Sequence, residues 1–74
     1  MNPREGQTVL KQIGARMIAV RKAKGLSQQV VADAADINRM YLSRVERGLD
    51  NVSILTLVRI AKALGTSARD LLCD

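Results

Sequence analysis

Arg39, Met40, Ser43, Arg44 and Arg47 carry the chemistry this chain can offer. On a helix turning about 100° per residue they share one face. Leu42 and Val45 take the opposite face, with Tyr41 at its edge and Glu46 on the boundary. A solvated helix face mixes signs and forms i,i+4 ion pairs. This one presents three arginines and no acid at its centre. A guanidinium fork matches guanine O6 and N7, and equally the oxygens of a phosphate. Met40 between the arginines is suited to a thymine methyl or a sugar; its other reading is an ordinary surface residue. The chemistry expected is recognition of a nucleic-acid groove.

Bond-making chemistry has no such support. The chain has no His and a single Cys, Cys73. It has no nucleophile–base pair, no glycine loop for phosphates and no cluster of metal ligands, so no enzyme, cofactor or metal is expected. An intrachain disulfide is excluded, and a reduced cytoplasmic setting is the simple reading. Cys73 reads as an idle or buried thiol, with a redox or ligand sensor as the alternative.

Helices must position these residues. A first helix is expected over about Val9 to Lys24, capped by Thr8, with Leu10, Ile13, Met17 and Val20 at helical spacing. Gly14 inside it allows close packing, and Gly25 ends it. Arg21, Lys22 and Lys24 in its last turns either offset the helix dipole or face a ligand. Ser27 caps a second helix over about Gln28 to Ala34, with Val31 and Ala35 inward and Ala32 where two helices cross. Asp36-Ile37 makes the turn. Asn38 caps a third helix, about Arg39 to Arg47, stopped by Gly48. Ser53 caps a fourth, about Ile54 to Leu64, whose broad apolar set buries more than one side. Thr66 or Ser67 caps a short fifth. Residues 1–7 read as a flexible terminus and residues 8–74 as one all-α domain. In a helix-turn-helix the start of the second helix of the pair reaches base edges. Arg39 therefore ranks first, followed by Met40, Ser43 and Arg44; Asn38 caps the helix, touches DNA, or does both. Arg47 at the far end meets phosphate. Gln28 sits where free N–H groups favour a phosphate, or is an ordinary first-turn residue.

The totals agree. Seventy-four residues with no Phe or Trp make one small domain with an aliphatic core. So small a core favours a homodimer, and Leu64, Ala68, Leu71 and Leu72 are its expected interface. The net charge is +5, and residues 1–25 hold six basic residues and one acidic. A basic balance points to nucleic acid or an anionic surface. No apolar run is long enough to span a membrane, and no signal-peptide pattern precedes the domain. No small-molecule ligand is expected.

The run Gly25-Leu26-Ser27-Gln28, Val31-Ala32, Ile37, Leu42-Ser43-Arg44-Val45-Glu46-Arg47-Gly48, Leu57 and Ile60-Ala61-Lys62-Ala63-Leu64-Gly65 resembles the lambda-repressor-like, Xre-type helix-turn-helix family. The resemblance spans about Ile13 to Leu72. It implies a compact five-helix domain, with helices two and three as the helix-turn-helix, that binds double-stranded DNA operators as a dimer. Asp36 stands where the family often has Gly; Asp tolerates left-handed dihedrals better than most residues. The run Asp36–Arg47 with Asn51-Val52-Ser53-Ile54 is similar to controller proteins of restriction–modification systems, with Met40 where a Thr is usual. That likeness implies base contacts for Arg39 and Met40, and places Tyr41, Asn51 and Ser53 near the DNA backbone. The wider family resemblance implies an ion pair between Arg21 and Glu46, the alternative being two unrelated surface charges. The expected function is sequence-specific transcription regulation, with RNA polymerase a candidate partner. The alternatives are a plain phage-type or autoregulatory repressor and an antitoxin-like protein-binding module.

Overall fold

The computed structural model describes residues 2–73, in the order α1 (Pro3–Ala23), α2 (Gln28–Ala35), α3 (Arg39–Glu46), α4 (Ile54–Leu64) and α5 (Ala68–Leu72). No strand occurs among the described residues. α2 packs on α3 and α4, while α1 lies across α3, α4 and α5. Met17, Val31, Leu42, Leu57, Ile60, Leu64 and Leu71 are the largest side chains sealed from solvent at the centre. Ala32 and Ala35 are buried beside them and let α2 approach its neighbours.

Four of the helices begin as their capping residues dictate. Ser27, Asn38, Ser53 and Ser67 each accept a hydrogen bond from the backbone N–H three residues on. The first helix starts earlier than its hydrophobic period indicates. Asn2 and Glu5 form a reciprocal capping box, and Pro3 occupies the first helical position. Residues 3–7 are thus helical rather than an irregular terminus. Thr8 lies inside α1 and is not its cap: its hydroxyl donates to Arg4 O at 3.0 Å.

The helix ends repeat one device. After α2, Ile37 N–H donates to Ala32 O and Asp36 N–H to Asp33 O, the paired bonds of a Schellman motif. The same pairing follows α1, α3 and α4 at residues 25–26, 48–49 and 65–66. Asp36 takes the left-handed position with φ 56°, where a side chain is disfavoured. Arg59 of α4 compensates by donating to the Asp36 carbonyl at 2.9 Å. The third helix ends one residue short of the expected boundary, with Arg47 as its C-cap.

Two contacts set α3 against the rest. Gly14 brings the α1 backbone against the end of α3. A Cβ there would collide with the Glu46 carbonyl and stand 2.7 Å from the Val45 oxygen. Glu46 is itself buried, with 2% of its side chain exposed. Arg21 reaches it from α1, donating from Nε to Oε2 at 2.8 Å and from Nη2 to Oε1 at 3.1 Å. Gln28 reaches it from α2, donating from Nε2 to Oε1 at 2.9 Å. Arg21 Nη1 also holds the Leu26 carbonyl between α1 and α2 at 3.1 Å.

These contacts predict two losses. Gly14→Ala should lower stability by about 1–3 kcal/mol through overpacking between α1 and α3. Glu46→Ala should lower it by about 3–5 kcal/mol, because it strands the Arg21 charge in a mostly buried site. Urea midpoints against the unaltered chain measure both. A Glu46→Ala midpoint within error of the parent would mean the pair adds nothing.

Candidate nucleic-acid interface

A cleft of about 650 Å³ opens between α2 and the start of α3. It gathers Gln28, Asn38, Arg39, Met40 and Ser43 from the expected site, together with Gln29, Asp33 and Ile37. Tyr41, Arg44, Arg47, Asn51 and Ser53 lie outside it. The Asp36 turn aims α3 so that its first residues form the cleft rim. Arg39 is exposed, and among the described residues no hydrogen-bond or ion-pair partner holds its guanidinium. Met40 beside it is 73% exposed. An apolar side chain that open, next to an unpartnered cation at a helix start, can meet a ligand without rearrangement. Ser43 follows one turn later and is half-buried.

Asn38 is occupied as a cap, its Oδ1 accepting from Tyr41 N–H at 3.1 Å. Ser53 likewise caps α4, and its hydroxyl donates to Thr56 Oγ1 at 2.9 Å. Tyr41 donates its phenol hydrogen to the Asn51 carbonyl at 3.0 Å, which ties the loop after α3 back to α3. Gln28 is half-buried, and its amide donates to Glu46. Its backbone N–H and that of Gln29 open α2 without a partner among the described residues.

Several contacts escape sequence reasoning. The α3 face does carry an acid, supplied from outside the helix. Asp50 accepts from Arg44 Nε at 2.8 Å and from Nη2 at 3.2 Å. The pair raises the Arg44 guanidinium pKa and lowers that of the Asp50 carboxylate, chiefly through these side-chain hydrogen bonds. Asp33 is the acid that lines the cleft, and it accepts from Gln29 Nε2 at 2.8 Å, an i,i+4 pair visible in the sequence. Lys24 is structural: its Nζ donates to the Leu64 and Gly65 carbonyls at 2.6 and 3.1 Å, capping the end of α4. Arg47 is exposed and makes one long bond, Nε to Ser43 O at 3.4 Å.

The expected dimer interface needs correction. Leu64 and Leu71 are 1% and 0% exposed and serve the core of their own chain. Ala68 packs half-buried against that core, and Leu72 alone of the four is open. The apolar surface left uncovered on α4 is Ile54 and Leu55, with Val58 half-buried. The broad apolar set of α4 thus divides into a core side that includes Leu57, Ile60 and Leu64 and an open side at Ile54 and Leu55.

No group of His, Cys, Asp and Glu among the described residues is placed to hold a metal. No helix among them is long and apolar enough to cross a membrane. Cys73 is exposed, and its thiol lies 3.4 Å from the Arg69 carbonyl.

The helix-turn-helix family profile matches residues 17–71. The chain is 40% identical over 60 residues to the control protein C.BamHI of Bacillus amyloliquefaciens, spanning 80% of this chain and 74% of that protein. An HTH-type transcriptional regulator of Sinorhizobium fredii is 39% identical over 57 residues, 77% of this chain and 74% of the other. The structure superposes on the restriction–modification controller protein C.AhdI from Aeromonas hydrophila with a TM-score of 0.81 and 40% identity, covering 84% of this chain and 94% of that one. It also matches the clp gene regulator ClgR from Corynebacterium glutamicum with a TM-score of 0.82 and 34% identity, covering 86% and 83%. The unpartnered Arg39 and Met40 thus stand at the start of the second helix of a helix-turn-helix, and the chain belongs to the Xre-type helix-turn-helix family of DNA-binding, non-enzymatic transcriptional regulators.

Proposed function

We propose that this chain is a sequence-specific regulator that binds a near-palindromic duplex as a homodimer and acts as a controller of a restriction–modification system. The observation that carries it is the start of α3, where Arg39 and Met40 are exposed and unengaged above the cleft. In the major groove Arg39 takes guanine O6 and N7, and Met40 lies on a thymine methyl or sugar. Ser43 is one turn further along the same face. The backbone N–H groups at the start of α2 donate to a phosphate, and Arg47 holds another at the far end of α3. Tyr41, Asn51 and Ser53 line the flank beside the backbone. Gln28 works chiefly through Glu46, so its side chain orients α3 rather than meeting DNA.

Support for the dimer comes from the open apolar side of α4, where Leu55 is 72% exposed. A dimer that reads two half-sites needs its α3 helices about 34 Å apart, on successive major grooves. Support for the controller subtype is the 40% identity to both C.AhdI and C.BamHI. The immunity repressor of Bacillus phage phi105, 42% identical over 53 residues, is a longer protein of which this chain spans 37%. An activating role would add RNA polymerase as a partner.

Two outcomes follow. Arg39→Ala should lose about 1–3 kcal/mol per half-site on the preferred duplex and little on shuffled DNA, whereas Arg47→Ala should weaken both about equally. Titrations on the two duplexes separate these effects, and an equal loss for Arg39→Ala would move it to the phosphate class. In footprints of the region upstream of its own gene, rising protein should protect one near-palindrome and then a second. Leu55→Glu, folded but monomeric by sedimentation, should abolish that order; a single protected site throughout would leave a plain repressor.

A further inference from the structure

We propose that Asp50 determines specificity by holding one edge of Arg44, turning a mobile cation into an oriented fork that reads a base and adds little general affinity for DNA. This rests on the reading of α3 as the recognition helix.

The geometry is directional. Asp50 takes the Nε–Nη2 edge of the guanidinium in a bidentate contact. The remaining edge, formed by Nη1 and the second Nη2 hydrogen, has no partner among the described residues, and 44% of the Arg44 side chain is open to solvent. A guanine needs two parallel donors, which that free edge supplies. The carboxylate is also rigidly presented. On one side of it Leu49 N–H donates to Arg44 O at 2.9 Å and Gly48 N–H to Val45 O at 3.0 Å. On the other, Tyr41 holds the Asn51 carbonyl at 3.0 Å. The loop carrying Asp50 is therefore fastened to α3 itself at both ends.

Stability does not explain the pair. Exposed ion pairs add little to folding, and this one sits on the face that must attract a polyanion. An unpaired arginine at that place would contact phosphate on any sequence and release a counterion each time. With its charge matched by Asp50, Arg44 has less to gain from a phosphate but keeps its fork for a base edge. Arg39 and Arg47 have no carboxylate partner among the described residues, so the device is confined to Arg44 on this helix.

The probes are a duplex enriched by the unaltered protein from a randomised pool and a shuffled duplex of the same length and composition. Both are titrated between about 50 and 200 mM salt. Asp50→Asn should bind the shuffled duplex about three- to tenfold more tightly at the lower salt. Its log–log salt slope should steepen by about 0.9, the increment for one added phosphate contact. The ratio of enriched to shuffled affinity should fall, and Asp50→Glu should restore part of it. In an Arg44→Ala background Asp50→Asn should give no such gain. An unchanged ratio in the single variant would overturn the proposal. So would a gain that persists without Arg44, since it would then reflect net charge alone. A loss of affinity for both duplexes together with a lowered Tm would assign Asp50 to the fold and overturn it equally. Failure of the unaltered protein to enrich any duplex would overturn the regulator reading, and this inference with it.

Discussion

A buried carboxylate orients the recognition helix. Glu46 is the last residue of α3, and both its oxygens are occupied, by Arg21 of α1 and Gln28 of α2. Its burial would be strongly unfavourable alone; three charge-assisted or amide hydrogen bonds offset it. The consequence is geometric. A helix of eight residues has little stability of its own, and its direction comes from packing. Leu42 and Val45 supply the apolar contact, which is tolerant of rotation. The Arg21 fork is not tolerant, because two parallel bonds fix the angle between α1 and α3. Gly14 permits this approach by leaving no Cβ between the two backbones.

The turns follow the same economy. Each of the first four helices ends in paired Schellman bonds, so two of its end carbonyls are satisfied as the chain reverses. At Gly48 a Cβ would meet the Lys11 backbone and side chain as well as a positive φ, so that end of α3 packs close to α1. Asp36 is the exception, a side-chain-bearing residue in the left-handed region. Its carbonyl is held by Arg59 and its carboxylate lies 3.5 Å from the same guanidinium. The helix-turn-helix corner is thereby fastened to α4, on which α2 also packs.

Most of this was legible in the sequence because its signals are local. Ser27, Asn38, Ser53 and Ser67 announce helix starts, and Gly25, Gly48 and Gly65 announce ends. The inward set Val31, Ala35, Leu42 and Val45 follows from a 3.6-residue period. The start of α1 precedes its hydrophobic period, whose first apolar residue comes only at Val9, and is marked instead by the capping box of Asn2 and Glu5 with Pro3 between them. Long-range pairings were legible only in part. The Arg21–Glu46 pair follows from family likeness and not from spacing. Arg44–Asp50 and Arg59–Asp36 join different elements, and no periodicity links them. The same limit applies to Leu64 of α4 and Leu71 of α5: an apolar residue does not say whether its own chain or a second copy covers it.

Net charge is a poor guide to this surface, and the ion pairs explain why. Twelve cations against seven acids give +5. Yet Arg21 is consumed by Glu46, Lys24 by the end of α4, and Arg59 by the Asp36 turn. Arg44 is matched by Asp50 on the recognition face itself. Among the described residues, Arg39 at the start of α3 and Arg47 at its end have no carboxylate partner, and the first backbone N–H groups of α2 beside the cleft have no partner. A uniformly basic face would hold any duplex, because phosphate contacts carry no sequence information. A face with a few free donors at fixed places binds weakly until those donors meet the right edges. On the proposed reading, the acids at positions 33 and 50, which lower the charge of this surface, belong to the same design as the arginines.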